Sequence, residues 1–395
     1  MPHASACCIL IDFRGSIRRR LVLNAVRKHH AFFICVCGLI VSALNYQSIM
    51  ANSTLSAAKA AKNDEFYTQY YDIEREVEAY LDYNPDVFRD KTVLLPCDDP
   101  EWSNFTKYFA QNFERLGLKK LISTSFAPES KNYKYPVQLS LFETESPQFD
   151  ANKTNTHGKI FVLTNDKSGD GRIDIEDLEW QYLEGDGDFR SHEVTRLRNE
   201  ADIIVTNPPF SLFRGFMSWI MEANKQFLII ANMNAITYKE VFPFIKDNKI
   251  WLGVHNGSKT YLTPTGGTQS MGNTCWFANI EHGRRHQPLT LMSMADNLKY
   301  SKHKEIRERD GYARYDNYDA IDIPRTDAIP NDYEGVMGVP ISFLDKYCPE
   351  QFEIIDINPH FYEIVAQGLP KPKQLTLKNV GKKDPYARIL IRKKQ

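Results

Sequence analysis

Asn207-Pro208-Pro209-Phe210 is the segment of this chain whose residue types point most directly to chemistry. It follows Ile203-Ile204-Val205, a short β-branched run with the character of a buried strand. Two consecutive prolines donate nothing to a sheet ladder, so the chain must leave the sheet there. A side-chain amide, carbonyls without neighbouring N–H groups and an aromatic ring are then held at the carboxyl end of a strand. Open α/β sheets place their ligands at that end. A strand ending in a plain proline-rich turn would contain the same residues. The helix expected from about Ser211, with Leu212, Phe213, Phe216, Met217, Ile220 and Met221 as its apolar stripe, favours the reading as a site.

Two other places carry carboxylates at suggestive positions. Asp98 and Asp99 follow the strand expected at Thr92-Val93-Leu94-Leu95. Asp99 precedes Pro100, and an Asp-Pro pair suits the N-cap and first position of a helix. Asp98 lacks that explanation and is the better ligand candidate. In Leu183 to Ser191, Asp188 and Phe189 either form part of a flexible acidic turn or offer an acceptor beside a ring. No Gly-x-Gly-x-x-Gly loop follows the first strand, so a dinucleotide-phosphate site has no support. Residues 166–177 match a calcium-binding loop, with Asp166, Ser168 and Asp170 at the first, third and fifth positions and Gly171 at the sixth. The twelfth position is Asp177 instead of the longer glutamate, and Lys159 to Thr164 reads as strand instead of entering helix. An acidic surface loop is the favoured reading there, and no metal site is expected.

The elements that must position these residues alternate. Residues 56–90 have a helical pattern. A helix with Trp102, Phe105, Phe109, Phe113 and Leu116 on one stripe follows the first strand, and Gly117 is placed to end it. Leu121 to Thr124, Ile160 to Leu163 and Phe227 to Ala231 read as further strands, and Ala127 to Thr156 as polar and irregular. Strand–helix–strand alternation with short links predicts a parallel, doubly wound α/β sheet. From Gly257 onward, short strands and loops take over.

Length allows a full α/β core and a second, smaller module in 395 residues. Of seven cysteines, Cys7, Cys8, Cys35 and Cys37 precede residue 38 and the others are scattered. That is no disulfide framework or zinc motif, and it suits a reducing, cytoplasmic compartment. Residues 1–49 carry six Lys/Arg against Asp12 and residues 371–395 carry nine against Asp384, so with the chain at −1 the part between them carries −14. An acidic body binds a polyanion only through local basic patches. Candidates are His282 to His286 with Arg284 and Arg285, the Gly-rich loop 257–273 with Lys259 and Thr268, and the C-terminal basic segment. Each of the three would equally serve as a solvated face. The apolar run Ala31 to Leu44 is too short to span a bilayer and resembles a signal or transit segment. The composition break at Met50 favours residues 1–49 as a leader that is poorly ordered or not native.

Asn-Pro-Pro-Phe resembles the catalytic motif of amino-group methyltransferases that use S-adenosylmethionine. Further segments occur in order: Phe66-Tyr67-Thr68-Gln69, Cys97-Asp98-Asp99-Pro100 followed by Ser103-Asn104-Phe105, Gly187 to Ser191 and Thr206 to Phe210. Downstream come Tyr315-Asp316-Asn317-Tyr318, Met337-Gly338-Val339-Pro340 and Arg388 to Arg392. Together, from about Ala57 to the C-terminus, they resemble the EcoRI-type adenine-specific DNA methyltransferase family. The resemblance implies a Rossmann-like methyltransferase sheet with a C-terminal target-recognition region. Residues 50–250 would form the cofactor-binding and catalytic domain, and 251–395 the remaining sheet elements and the DNA-recognition region. It implies S-adenosylmethionine bound near Phe66, Tyr67, Thr68, Asp98, Asp99, Asp188 and Phe189, the last two near its adenine. It implies catalysis by Asn207, Pro208, Pro209 and Phe210 on a flipped adenine in double-stranded DNA. The glycine-rich first motif of the wider superfamily is absent, and the strand ending near Ser125-Phe126 lacks the usual ribose-binding acid.

A monomer free of membrane is implied, in a restriction–modification setting in which any cognate endonuclease acts independently. Other acceptors with a planar amine remain open from the residues alone: RNA adenine, cytosine or a protein glutamine. A catalytically silent DNA-binding module is the reading from a different class.

Overall fold

The computed structural model describes residues 67–99, 103–127, 146–165, 173, 179–263, 267–307, 311–358 and 387–394. The chain enters as a two-residue strand, β1 (Tyr67–Thr68), and a helix, α1 (Tyr70–Leu81). Then come β2 (Thr92–Leu95), α2 (Asn104–Gln111), α3 (Phe113–Leu116), β3 (Lys120–Ser125), β4 (Lys159–Leu163) and β5 (Glu179–Tyr182). They are followed by α4 (His192–Glu200), β6 (Ile203–Thr206), α5 (Phe213–Glu222), β7 (Gln226–Asn232), β8 (Trp251–Leu252), β9 (Gly257–Leu262) and β10 (Thr268–Ala278). Among the described residues these strands form one sheet of order β1-β9-β10-β7-β6-β2-β3-β4-β5, with β8 also on β10.

The centre of that sheet explains where a ligand can sit. Strands β3, β2, β6 and β7 are parallel, with Val93 opposite Ile203 and Ile204 opposite Phe227. From β2 the chain crosses through α2 and α3 to β3 on one side; from β6 it crosses through α5 to β7 on the other. Right-handed crossovers that step in opposite directions put their helices on opposite faces. The packing obeys this. Phe105, Tyr108 and Phe109 of α2 join Val93, Leu95, Ile203 and Val205 in one core cluster. Phe213, Phe216 and Ile220 of α5 join Leu94, Ile204 and Ile229 in the other. Alternate residues of each central strand serve opposite cores, so the strands read as continuous apolar runs. The carboxyl ends of β2 and β6 diverge at this switch point and leave a crevice.

Three expectations need correction. The sheet is mixed, because β4 and β5 run antiparallel to their neighbours, as do β10, β9 and β1. Antiparallel neighbours need no crossover helix between them. The helix expected through Leu116 breaks at Asn112 (φ −104°, ψ 14°), although Gly117 ends it in the left-handed region at φ 63° as expected. Tyr67 and Thr68 are strand, paired with Leu262 and Tyr261, instead of helix.

A second sheet lies on the core face that α5 covers. It consists of β11 (Ala320–Asp322), β12 (Val336–Pro340), β13 (Phe352–Asn358) and β14 (Arg388–Lys393), in the order β11-β12-β14-β13. Ile321, Met337, Phe352 and Ile389 extend the same cluster as Phe213 and Phe216. The three downstream motifs meet here. Met337 pairs with Ile391, and Pro340 with Arg388. Tyr315 Oη donates to Asp322 Oδ1 at 2.6 Å, and Arg388 Nε donates to the same oxygen at 3.0 Å. Gly338 makes room for that tyrosine: a Cβ there would lie 2.3 Å from Tyr315 Oη. These motifs hold a buried ion pair together, away from the crevice. Among the described residues no helix is long and apolar enough to cross a membrane.

Candidate active site

The crevice at the switch point is an open cleft. Strand β1 supplies Tyr67 and Thr68, and the turn after β2 supplies Pro96 to Asp99. The end of β3 supplies Phe126, the turn before α4 supplies Gly187 to Phe189, and the end of β6 supplies Asn207 and Pro209. Most of the residues selected from sequence therefore share one concavity. Pro208 is buried beside it. Phe210 is partly buried, packed on the core cluster that contains α2. Phe66 lies outside the described residues, as does nearly all of the 166–177 loop.

Asp98 has a more specific place than sequence gave it. It is 4% exposed. Ser103 Oγ donates to its Oδ1 and Thr206 Oγ1 to its Oδ2, each at 2.6 Å. Because Thr206 directly precedes Asn207, this carboxylate fastens the turn after β2 to the end of β6 that bears the amide. The hydroxyls of Ser103 and Thr206 were not singled out from sequence; their place beside the two motifs was the available signal. Ser103, and not Asp99, caps α2: its Oγ accepts from the Phe105 N–H at 3.1 Å. Asp99 stays half-buried on the cleft wall.

Opposite them, the Asp188 carboxylate accepts from the Arg190 N–H at 2.8 Å and from Arg190 Nε at 2.9 Å. The side-chain hydrogen bond from Arg190 holds its carboxyl below the ordinary range, so it is ionised at neutral pH. Phe189 is a core ring, edge-on to Phe216 at 5.0 Å and to Trp219 at 5.6 Å, that also forms part of the cleft wall. Gly187 lets this turn approach β3. Its φ is +82°, and a Cβ would stand 2.2 Å from the Ser125 carbonyl oxygen. The acidic turn is therefore fixed, with Ser191 capping α4 through the Val194 N–H at 3.2 Å.

The rim is closed by β1. Asn104 Nδ2 donates to the Thr68 carbonyl at 2.8 Å, tying β1 to the start of α2. The Thr68 hydroxyl is buried and has no hydrogen-bond partner among the described residues. A buried hydroxyl left unmatched costs about 1–3 kcal/mol, and a ligand in the cleft would satisfy it. The lining thus offers aromatic walls, an ionised carboxylate, further acceptors and an unmatched hydroxyl. That donor set suits a nucleoside joined to an amino-acid-like chain.

The basic candidates from sequence fare differently. Lys259 is buried, its Nζ donating to the His255 carbonyl at 2.7 Å, and burial lowers its pKa. Arg285 is 4% exposed; it lies over the Trp251 ring at 3.6 Å and donates to Glu281 and Asn248, each at 2.9 Å. Arg284 pairs with Asp345 at 3.0 Å, and His282 Nε2 meets the Leu252 carbonyl at 3.0 Å. His286 stands between Glu281 at 3.3 Å and Glu350 at 3.0 Å. Each cation has an acid, ring or carbonyl inside the fold, which sequence spacing does not reveal. Among the described residues no group of His, Cys, Asp and Glu could hold a metal ion.

The family described as adenine-specific methyltransferase EcoRI matches residues 54–394. The chain is 40% identical to the Type II methyltransferase M.EcoRI of Escherichia coli over 87% of its length and 97% of the relative's. It is 33% identical to M.MgeORF184P of Mycoplasma genitalium, covering 86% of this chain and 98% of that one. With M.MpnI of Mycoplasma pneumoniae it shares 32%, covering 86% and 97%. No solved structure matches significantly.

Proposed function

The chain belongs to the EcoRI family of adenine-specific methyltransferases, and from that premise we propose that it transfers the methyl group of S-adenosylmethionine to the exocyclic amine of an adenine in double-stranded DNA. The observation that carries this reading is the shared cleft: Asn207 and Pro209 open onto the same space as Thr68, Asp99, Asp188 and Phe189. Tyr67, Thr68, Asp98, Asp99, Asp188 and Phe189 would hold the cofactor, with Asp188 placed to accept from an adenine amine and Phe189 against the ring. Phe66 belongs to the same set by its place in the sequence.

When bound, the cofactor supplies a methyl group already activated on a sulfonium. The protein's work is then positional. An adenine amine is a weak nucleophile because its lone pair is delocalised into the ring. Asn207 Oδ1 and the Pro208 carbonyl accept its two hydrogens, draw the lone pair onto nitrogen and aim it into the cleft. Pro208 and Pro209 keep that carbonyl out of the sheet ladder. Asp98, through Thr206, fixes the strand end that carries the amide. Phe210 stacks on a base rotated out of the duplex.

Residues 50–250 are assigned to cofactor binding and catalysis, and 251–395 to completing the sheet and to target recognition, with residues 1–49 outside the catalytic unit. The protein acts as a cytoplasmic monomer in a restriction–modification system, alongside any cognate endonuclease and without contact to it. Cytosine, RNA, glutamine and binding-only readings are not favoured in a family of adenine-specific methyltransferases. The test is to incubate unmodified plasmid DNA with the protein and S-adenosylmethionine, then sequence it with detection of modified bases. N6-methyladenine at one recurrent sequence is expected; unmodified adenines throughout would overturn the reading.

A further inference from the structure

One part of the sheet continues beyond the cleft. Thr274 of β10 is opposite Asn232, the last residue of β7. Residues Thr268 to Asn273 therefore run past the carboxyl end of β7, by about 20 Å at roughly 3.3 Å per residue. Over that length β10 pairs with β9 and with no other strand among the described residues. On its far side β9 pairs with β1, whose Tyr67 and Thr68 line the cleft. A ribbon thus stands at the cleft's rim, two-stranded where Lys259 and Thr260 face Met271 and Ser270, with β1 as a third strand beside Tyr261 and Leu262.

Its two faces differ. Register puts Lys259 opposite Met271 and Tyr261 opposite Gln269 on the inner face, where Lys259 and Tyr261 are buried. The outer face carries Thr260 opposite Ser270, with Ser258 in line on β9 and Thr268 on β10. All four are exposed. Thr260 and Ser270 share a hydroxyl–hydroxyl hydrogen bond at 3.1 Å. Moreover, no Asp or Glu occurs between Asp247 and Glu281, in a chain with 50 of them.

We propose that the outer face of the β9–β10 ribbon is a DNA-docking surface that enters the groove beside the target adenine, with Ser258, Thr260, Thr268 and Ser270 meeting base edges. This rests on the DNA reading of the cleft. A two-stranded ribbon fits the major groove, and Ser and Thr hydroxyls donate to or accept from base edges there. A face without carboxylates approaches a polyanion without repulsion. The ribbon's attachment through β1 sets the docked duplex next to Asn207.

The test uses the full chain, filter binding to a linearised plasmid, binding of labelled S-adenosylmethionine, and mapping of methylated adenines. The Thr260→Glu/Ser270→Glu pair is expected to weaken plasmid binding at least tenfold while cofactor affinity and melting temperature stay at wild-type values. The Thr260→Ala/Ser270→Ala pair, which adds no charge, is expected to methylate adenines outside the wild-type set; it decides the question if the glutamate pair does not fold. Wild-type plasmid affinity and an unchanged methylation map in the folded variants would overturn the ribbon's role. If the wild type itself neither binds nor methylates the plasmid, the DNA reading falls, and the ribbon with it.

Discussion

Two polar clusters in this molecule look alike in composition and differ in what they leave open. Around the cleft, Asp98, Ser103 and Thr206 satisfy one another, yet the Thr68 hydroxyl beside them is unmatched and the space in front of it is empty of protein. Around Arg285, the more conspicuous run of charges meets Glu281, Asn248 and the Trp251 ring; one Arg285 nitrogen and His282 Nδ1 keep no partner among the described residues, but the space beside them is far smaller than the cleft. The first cluster holds two strand ends rigid so that neighbouring groups can meet a ligand. The second joins the end of the main sheet to the elements that follow. A cluster of charged residues becomes a site only where some polar capacity remains and there is room to use it.

The comparison can be broken at several points. Asn207→Ala is expected to slow methyl transfer by roughly two orders of magnitude, about 3 kcal/mol of transition-state contact, with an unchanged melting temperature; single-turnover kinetics with calorimetry checks both. Arg285→Ala should do the reverse. Losing a desolvated cation–π contact and charged hydrogen bonds costs about 2 kcal/mol of stability, read from urea midpoints, while transfer per folded molecule stays at the wild-type rate. Thr206→Val lies between the two. It removes one buried hydrogen bond to the Asp98 carboxylate, at about 1–2 kcal/mol, and should lower both stability and turnover, because the hydroxyl serves the strand end that bears Asn207.

The smallest effect is a pH dependence in the second cluster. Burial lowers the His282 imidazole below its ordinary 6.5, and Glu76, Glu281 and Arg285 face it. The unfolded chain therefore takes up a proton first as pH falls. His282 contributes its full stability above about pH 6.5 and loses it as pH drops from there toward the folded value. Urea midpoints between pH 7.5 and 5.5 should decline, and His282→Gln should flatten the slope.

Sequence made the strand and turn around Asn207 legible because β-branched residues followed by two prolines allow few conformations. It also marked β2, β3 and β7 by their apolar runs, and Gly117 by the left-handed turn that it permits. It missed β5 and α4, which are short and polar, so their periodicity is weak. It singled out Asp98 without showing that it ties two strand ends together, since the partners of Asp98 come from five and 108 residues away. It left Lys259, Arg284 and Arg285 open between DNA contact and solvated face, because spacing carries no record of the tertiary contacts that engage them.

The central claim is that the switch-point cleft, and not the charged cluster near Arg285, receives the cofactor. Hydrogen–deuterium exchange with and without S-adenosylmethionine tests it most directly. Slowed exchange confined to residues 67–69, 96–99, 186–189 and 207–212, with 281–286 unchanged, is the predicted result. Protection at 281–286 with the cleft segments unaffected would contradict it.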